Sequence, residues 1–187
     1  AVLGSVALLE ERWQDYLDLL AQRRALETKE ANQLTMGLEG EAYARAQLAG
    51  AEDINAWMGE FLAQRVAELP YAVVQANLKS AKGRSEILSR ALVLGSIESG
   101  LQPTLDNTEG EMSYDLASRL VGTSFTLDAY IPAAATINEV YSAVIAAHKV
   151  DKVDIWEARK VTLEAADKAS PAIISVWDSG VDVALFT

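Results

Sequence analysis

The side chains that could do chemistry are mostly carboxylates, because 27 Asp and Glu residues accompany a single histidine and no cysteine. An acidic helical protein suggests a di-iron centre, which takes inward carboxylates and Glu-x-x-His pairs from facing helices. The only histidine is His148, and the residue three positions before it is Ile145 rather than a glutamate. Haem or copper sites that need two imidazoles are excluded for the same reason. His148 is better interpreted as a cation at the C-terminal end of a helix.

Templates for covalent and phosphate chemistry are also missing. Without cysteine there is no thiolate nucleophile, disulfide or sulfur-ligated zinc. Residues 122–126 lack the second glycine of a Gly-x-Ser-x-Gly turn, although a Ser-His-Asp arrangement assembled in space stays open. The acidic residues 106–111 do not have the ligand spacing of an EF-hand, so a solvated loop is expected, with loose calcium binding as the alternative. The sequence therefore predicts no catalytic residue, no cofactor and no metal site.

The net charge of −11 argues against nucleic acid as a partner, because it repels a phosphate backbone. The four cations Lys79, Lys82, Arg84 and Arg90 have no aromatic residue among them and are interpreted as a solvated helix face. Residues 99–147 are acidic by contrast, so head-to-tail contact between copies is one interpretation. Two unrelated solvated surfaces are the alternative.

The spacing of apolar residues in the first half of the chain is typical of helices. It predicts a long first helix that starts near residue 6 and continues to about residue 36. The polar part of this helix, residues 22–30, has little to bury and is expected to project or to contact something else. Glycines within residues 37–50 predict a break. Residues 54–69 carry the strongest apolar stripe, which ends against Pro70.

Beyond Pro70 the pattern predicts two helical pieces on either side of Gly83, or one bent helix. Ser85 is the expected cap of the second piece. Residues 99–113 contain glycine, proline and acids with almost nothing to bury, and they are expected to form the principal loop.

The last third of the chain is predicted to hold three further helices and a tail. Thr136 and Glu139 form a capping box that predicts the start of a helix reaching His148. The next helix, residues 153–168, is expected to turn Val153, Trp156 and Leu163 toward the core. A short helix over residues 171–177 follows. Residues 181–186 are expected to form an extended strap, laid on the body or paired with a neighbouring chain.

Together these elements predict an all-α fold, a multi-helix bundle with a long N-terminal helix and a short extended C-terminal tail. One helical domain over residues 1–187 is expected, with a subdivision at the 99–113 loop as the alternative. No apolar run reaches the about 18 residues needed to span a bilayer, so no transmembrane segment is predicted. Ala1 fits either removal of an initiator methionine or cleavage of a signal peptide, so the compartment stays open.

The leading functional hypothesis is a structural or assembly protein that acts through protein–protein contacts. It would be a helical subunit of a larger homo- or hetero-oligomeric complex, such as a ring, a secretion apparatus or a virion, with a homo-oligomer favoured. The expected contact residues are cations of the first half of the chain and apolar residues of the tail. They are Arg23, Arg24, Lys79, Lys82, Arg84, Val183, Leu185 and Phe186.

Two alternatives from other classes stay open. A membrane-active helical protein is suggested by the apolar residues 1–9, although the acidic charge of the chain opposes binding to a membrane surface. A small-molecule carrier or enzyme would use a pocket between helices. Tyrosines are the residues expected to line such a pocket, namely Tyr43, Tyr71, Tyr114, Tyr130 and Tyr141.

Overall fold

The computed structural model describes residues 2–151, 153–162, 164, 168, 170 and 173, and the regular secondary structure of these residues is entirely helical. The α-helices are, in chain order, α1 (Val2–Leu9), α2 (Trp13–Leu26), α3 (Glu30–Thr35), α4 (Leu38–Leu48), α5 (Ile54–Ala67), α6 (Tyr71–Ile87), α7 (Arg90–Ser96), α8 (Gln102–Asn107), α9 (Tyr114–Phe125) and α10 (Ile131–Ala147). Two π-helical turns, Ile97–Leu101 and Thr126–Tyr130, join α7 to α8 and α9 to α10. A 3-10 turn covers Glu157–Arg159. The predicted all-α class is confirmed for these residues.

The prediction of one long N-terminal helix is wrong, because the chain folds back between α1 and α2. Glu11 has a left-handed φ of 57°, and Arg12 bonds the carboxylates of Glu10 and Asp15 on either side of this bend. The bend lets the Tyr16 ring lie beside Gly4, so apolar burial between α1 and α2 outweighs a straight helix. The longest helical run is instead Tyr114–Ala147, near the other end of the chain.

Each π-helical turn ends two residues before a proline that lies inside a helical run. Proline lacks an N–H group, and its ring clashes with the carbonyl four residues earlier. Each turn has one extra residue, with N–H groups bonding five residues back from Gln102 to Ile97 and from Ile131 to Thr126, so the helix continues past Pro103 and past Pro132.

This continuity corrects two predictions. Residues 97–107 are helical, so the expected loop over 99–113 is reduced to residues 108–113. Thr136 lies within α10, so the capping box predicted at that position does not start a helix. The sequence pattern was misread because proline and glycine were taken as breaks, whereas a π-helical turn accommodates them.

Helix α6 passes through Gly83 without a break and ends at Ile87. Ser85 therefore does not cap a helix. Its buried hydroxyl donates to the Lys82 carbonyl at 2.7 Å and accepts from Asn138 at 3.1 Å. The cap of α7 is Ser89, whose hydroxyl accepts from the backbone N–H of Leu92.

The main core lies where α4, α5, α6 and α10 meet. Its buried members confirm the predicted stripes of residues 54–69 and of the helix ending near His148. They include Leu38, Met58, Leu62, Val66, Val74, Leu78, Tyr130, Ile137 and Tyr141. A second, smaller cluster consists of Ala7, Tyr16, Leu20 and Ala44, from α1, α2 and α4. Among the described residues, no helix has both the length and the apolar character that crossing a membrane requires.

The chain divides into two units, Ala1–Lys149 and Val150–Thr187. In the described residues of the second unit, Val153 and Trp156 are 86% and 72% exposed, and only a 3-10 turn forms between residues 153 and 162. The prediction that they point into a core from a helix is therefore wrong. Three of the predicted features lie outside the described residues. They are the core position of Leu163, the helix over residues 171–177 apart from Ile173, and the strap over residues 181–186. The single-domain assignment stays a prediction.

A substitution at Gly40 tests the contact between α2 and α4. A Cβ atom at Gly40 would lie 2.1 Å from the Tyr16 hydroxyl oxygen, so we expect Gly40→Ala to lower the free energy of unfolding by about 1–3 kcal/mol. Adding Tyr16→Phe should recover part of this loss, because it removes the clashing oxygen. The measurement is urea unfolding followed by circular dichroism.

The matched control is Gly83→Ala, because a Cβ there meets nothing within 4 Å and alanine favours a helix over glycine by about 1 kcal/mol. We expect this control to be neutral or stabilising. A stabilising Gly40→Ala variant would contradict the packing of Tyr16 against α4.

Candidate functional site

Three tyrosines lie near Glu39: Tyr141 bonds its carboxylate, and Tyr16 and Tyr130 line the same cavity as Glu39. Tyr16 comes from α2, Tyr130 from the second π-helical turn and Tyr141 from α10. Glu39 lies in the first turn of α4, which starts after Gly37 in a left-handed conformation with φ 67°. A Cβ at Gly37 would lie 2.7 Å from a Leu20 methyl carbon, so glycine is required there both for its backbone conformation and for space. The predicted break at this glycine is thus confirmed, and it places Glu39 beside the tyrosines.

The hydrogen bonds of this cluster are incomplete. The Tyr141 hydroxyl donates to Oε1 of Glu39 at 2.8 Å. The Tyr130 side chain is 1% exposed, and its buried hydroxyl has no hydrogen-bond partner among the described residues. The Arg84 guanidinium carbon lies 4.6 Å from the centre of the Tyr130 ring, a cation–π distance. Within the described ranges no ion pair links Arg84 to Glu39, although both line the same cavities.

Burial raises the pKa of three tyrosine hydroxyls above the ordinary value of 10. It raises the pKa of Tyr16 and that of Tyr130 to about 12, and it raises the pKa of Tyr141 well above 10. The charge of Glu39 raises all three values further, while Arg84 opposes the effect at Tyr130 and Tyr141. The three hydroxyls are therefore neutral donors at physiological pH.

Two cavities meet at Gly37, Glu39 and Arg84. The first, here named the tyrosine cavity, has a volume of about 230 Å³. Its polar lining comes from Ser5, Tyr16, Arg23, Glu39, Arg84, Thr126 and Tyr130, and its apolar wall from Leu8, Leu20 and Phe125. The second has a volume of about 420 Å³ and opens beside Asn77. Neither lining includes a histidine or a cysteine.

A third space, here named the apolar groove, lies between α9 and the run from α6 through α7 to the first π-helical turn. It has a volume of about 620 Å³. Its lining is mainly aliphatic, from Leu88, Leu92, Val93, Ile97, Leu101, Leu116 and Leu120, with the cations Arg84 and Arg119. Residues 90–107, all of which the structure describes, include no buried side chain. The helical run along one side of the groove is therefore not covered by the rest of the unit.

The predicted contact cations occupy different environments. Arg84 lines the tyrosine cavity and the apolar groove, and Arg23 lines the tyrosine cavity. Lys79 is exposed on α6, and Lys82 bonds Glu86 one turn along the same helix. Arg24 is mostly buried and contacts Glu41 and the Met36 carbonyl, so the polar part of the first helix makes an internal contact. Val183, Leu185 and Phe186 lie outside the described residues.

Of the five tyrosines predicted to line a pocket, the structure brings Tyr130 and Tyr141 together. Tyr43 packs edge-on against Trp13 and Phe125, Tyr71 stacks on His148, and Tyr114 is exposed. Tyr16 and Glu39 belong to the site but were missed. The close glycines Gly37 and Gly40 were the available signal, because paired glycines allow a neighbouring ring to approach the backbone.

His148 makes contacts that are compatible with its predicted place at a helix end. Its ring stacks on Tyr71 at 4.0 Å between centroids, and its Nδ1 lies 2.9 Å from the Val144 carbonyl oxygen. Among the described residues, no group of three or more His, Cys, Asp or Glu side chains is placed to hold a metal ion. For the acids at residues 106–111, a solvated surface with loose calcium binding as the alternative stays a prediction.

Protein-family models, curated proteins and solved structures were compared with this chain, and none matches it. Function is therefore inferred from the contacts and chemistry of the chain's own residues. Two features of the described residues suit the binding of a ligand or a partner: the tyrosine cavity and the apolar groove.

Proposed function

We propose that this protein is an assembly subunit that acts through protein–protein contacts, and that the apolar groove of one copy receives residues 150–161 of a second copy. The observation that carries the proposal is the groove itself. Its aliphatic side chains face about 620 Å³ of unfilled space, and filling such a space with apolar groups is favourable by about 25 cal/mol per Å² of surface removed from water.

Residues 150–161 carry apolar side chains that match the aliphatic lining of the apolar groove. These apolar side chains are exposed in the described residues. They are Val150, Val153, Ile155, Trp156 and Val161. Exposed apolar groups in a row mark a contact surface, and tryptophan is the residue that most often dominates binding energy.

Both surfaces carry charged side chains beside their apolar residues. The groove carries Arg119, which is exposed and forms no ion pair within the described residues. The segment carries the acids Asp151, Asp154 and Glu157 and the bases Lys152, Arg159 and Lys160, so its net charge is zero. Opposite charges at the rim of an apolar contact orient the partners and speed their association. In the proposed contact, Arg119 pairs with one of these three carboxylates of the second copy.

The membrane-active alternative has less support. Helix α1, the apolar segment that suggested it, packs against α2 and α9, and Ala7 is fully buried. Insertion would require α1 to leave these contacts. Protein–protein assembly needs no such rearrangement.

Trp156→Ala should weaken self-association of the full chain at least tenfold, because it removes the largest exposed apolar side chain of the segment. Its exposure means that the fold itself should be unaffected. Arg119→Glu should weaken association by a similar factor from the groove side. The measurement is sedimentation velocity over a wide range of protein concentration.

The control is Arg65→Glu, an equal charge reversal on α5, away from the groove lining, which should leave association unchanged. A chain that is monomeric at every concentration would overturn the proposal. Association that is equally strong in the Trp156 and Arg119 variants would also overturn it.

A further inference from the structure

The connection between α1 and α2 lacks the residue types that usually end a helix. No glycine or proline occurs from Ser5 to Met36, and the residues at the bend, Glu10, Glu11 and Arg12, are good helix formers. The apolar positions of α1 and α2 also recur at spacings of three and four residues straight through the bend. The local sequence therefore favours one helix where the fold has two.

The backbone at the bend is strained. The Arg12 N–H donates to the Ala7 carbonyl at 2.8 Å, and the Glu11 N–H donates to the Leu8 carbonyl at 3.3 Å. This pair of bonds is the Schellman motif, in which the residue after the helix end adopts a left-handed conformation and is usually glycine. Here that residue is Glu11, with φ 57°. A residue with a Cβ atom adopts this conformation at a cost in free energy, because the Cβ comes close to the following carbonyl oxygen.

Small side chains hold α1 in its folded-back position. The buried residues of α1 are Gly4 and Ala7, whereas Leu3 and Leu9 are 68% and 54% exposed. Helix α1 packs against α2 on one side and against α9 on another. Residues 10–12 are exposed, so the bend itself lies in solvent. The packing that opposes a straight helix is therefore modest.

We propose that α1 is a movable arm, which exchanges between this bent form and a straight form in which residues 2–26 make one continuous helix. Helix preference and release of the strained backbone favour the straight form, whereas the burial of Gly4 and Ala7 favours the bent form. Both forms are populated, and the bent form dominates. Straightening carries α1 away from α9, the helix that bounds one side of the apolar groove, so the arm covers or releases that helix. The exchange does not depend on the self-association proposed above.

The experiment is a distance measurement by pulsed electron spin resonance between two spin labels on the full chain, attached in the double variant Leu3→Cys, Leu26→Cys. The chain has no cysteine of its own, and both positions are exposed, so the labels should leave the fold intact. In the straight form the two Cα atoms are about 35 Å apart, at 1.5 Å per residue. In the bent form Gly4 lies beside Tyr16, about 15 Å along α2 from Leu26, so the separation falls to about 20 Å. Dilution with unlabelled chain removes distances between copies.

We expect both distances in the labelled chain, and substitutions at Glu11 should shift their ratio in opposite directions. Glu11→Gly should lower the fraction of the long distance about fivefold, because glycine accepts the left-handed conformation and disfavours a helix interior. Glu11→Ile should raise that fraction about threefold, because a β-branched residue fits a helix but not the left-handed conformation. The control is Glu52→Gly, the same change at an exposed position between α4 and α5, which should leave the ratio unchanged.

A single short distance in both the unsubstituted labelled chain and its Glu11→Ile variant would overturn the proposal. A long-distance fraction that is equal in Glu11→Gly and Glu11→Ile would also overturn it, because the backbone at Glu11 would then not govern the exchange. Circular dichroism of each labelled variant verifies the helical content, which separates movement of the arm from loss of the fold. None of these outcomes bears on self-association, which is measured with Trp156→Ala.

Discussion

Leu62→Ala is expected to lower the free energy of unfolding by about 3 kcal/mol, because it leaves a cavity at the centre of the main core. Leu62 is 0% exposed and packs where α5 meets α10. Truncation removes the transfer free energy of the lost methyl groups, and the surrounding helices collapse only in part. Chemical denaturation followed by circular dichroism measures the change.

Leu26→Ala is the matched control, since the same substitution is made at a side chain that is 82% exposed at the end of α2. Its expected change is below about 0.5 kcal/mol. Equal losses for the two variants would mean that α5 does not form the centre of the core.

Arg24→Ala is expected to lower the free energy of unfolding by about 3 kcal/mol, because it removes one of the two ion-pair partners of the buried Glu41 carboxylate. Arg24 bonds Oε2 of Glu41 at 2.7 Å and donates twice to the Met36 carbonyl, at 2.9 and 2.7 Å. Glu41 is only 6% exposed and would keep only the partly exposed Arg45 as a partner. The variant also loses the link between α2 and the connection from α3 to α4.

Arg23→Ala is the matched control for this substitution. Arg23 is the neighbouring residue, is exposed, and forms no ion pair within the described part of the chain, so its expected change lies within about 0.5 kcal/mol. Unfolding curves for the two variants at neutral pH make the comparison. A loss in Arg23→Ala as large as that in Arg24→Ala would contradict the buried pair.

The dependence on pH gives an independent check of the same pair. Burial alone raises the pKa of Glu41, but the hydrogen bonds and charges of Arg24 and Arg45 outweigh it and leave the pKa below its ordinary value of 4.5. A carboxyl group with a lower pKa in the folded state stabilises above its unfolded pKa, and that contribution disappears as the pH falls through the folded pKa. The difference between wild type and Arg24→Ala should therefore shrink below about pH 4.5.

Part of the candidate site could be predicted from residue types alone. Sequence reasoning included Tyr130 and Tyr141 among pocket residues and Arg84 among contact residues, because buried tyrosines and clustered cations are common in binding sites. It missed Glu39 and Tyr16. No local pattern connects these residues, since Tyr141 and Glu39 are separated by 102 positions. Only the packing of α10 against the other core helices makes them neighbours.

The apolar groove was missed for a different reason. Residues 99–113 were expected to be a loop, so no helix was available to form one side of the groove. The π-helical turn before Pro103 restores the helix and exposes Ile97 and Leu101 toward α9. A single proline thus reversed the interpretation of a whole segment, because proline usually marks a helix end.

The amino-acid sequence by itself determined the all-helical class and the buried faces of α5 and α10. The physical reason is local, since apolar residues three and four positions apart form one apolar face on any helix, and that face is buried against other helices. Only the three-dimensional structure shows where the N-terminal helix folds back, how the helix passes Pro103 and Pro132, and that Tyr141 bonds the Glu39 carboxylate. The fold-back depends on burial shared between distant segments, whereas the π-helical turns are a local change of hydrogen bonding that the spacing of apolar residues does not reveal.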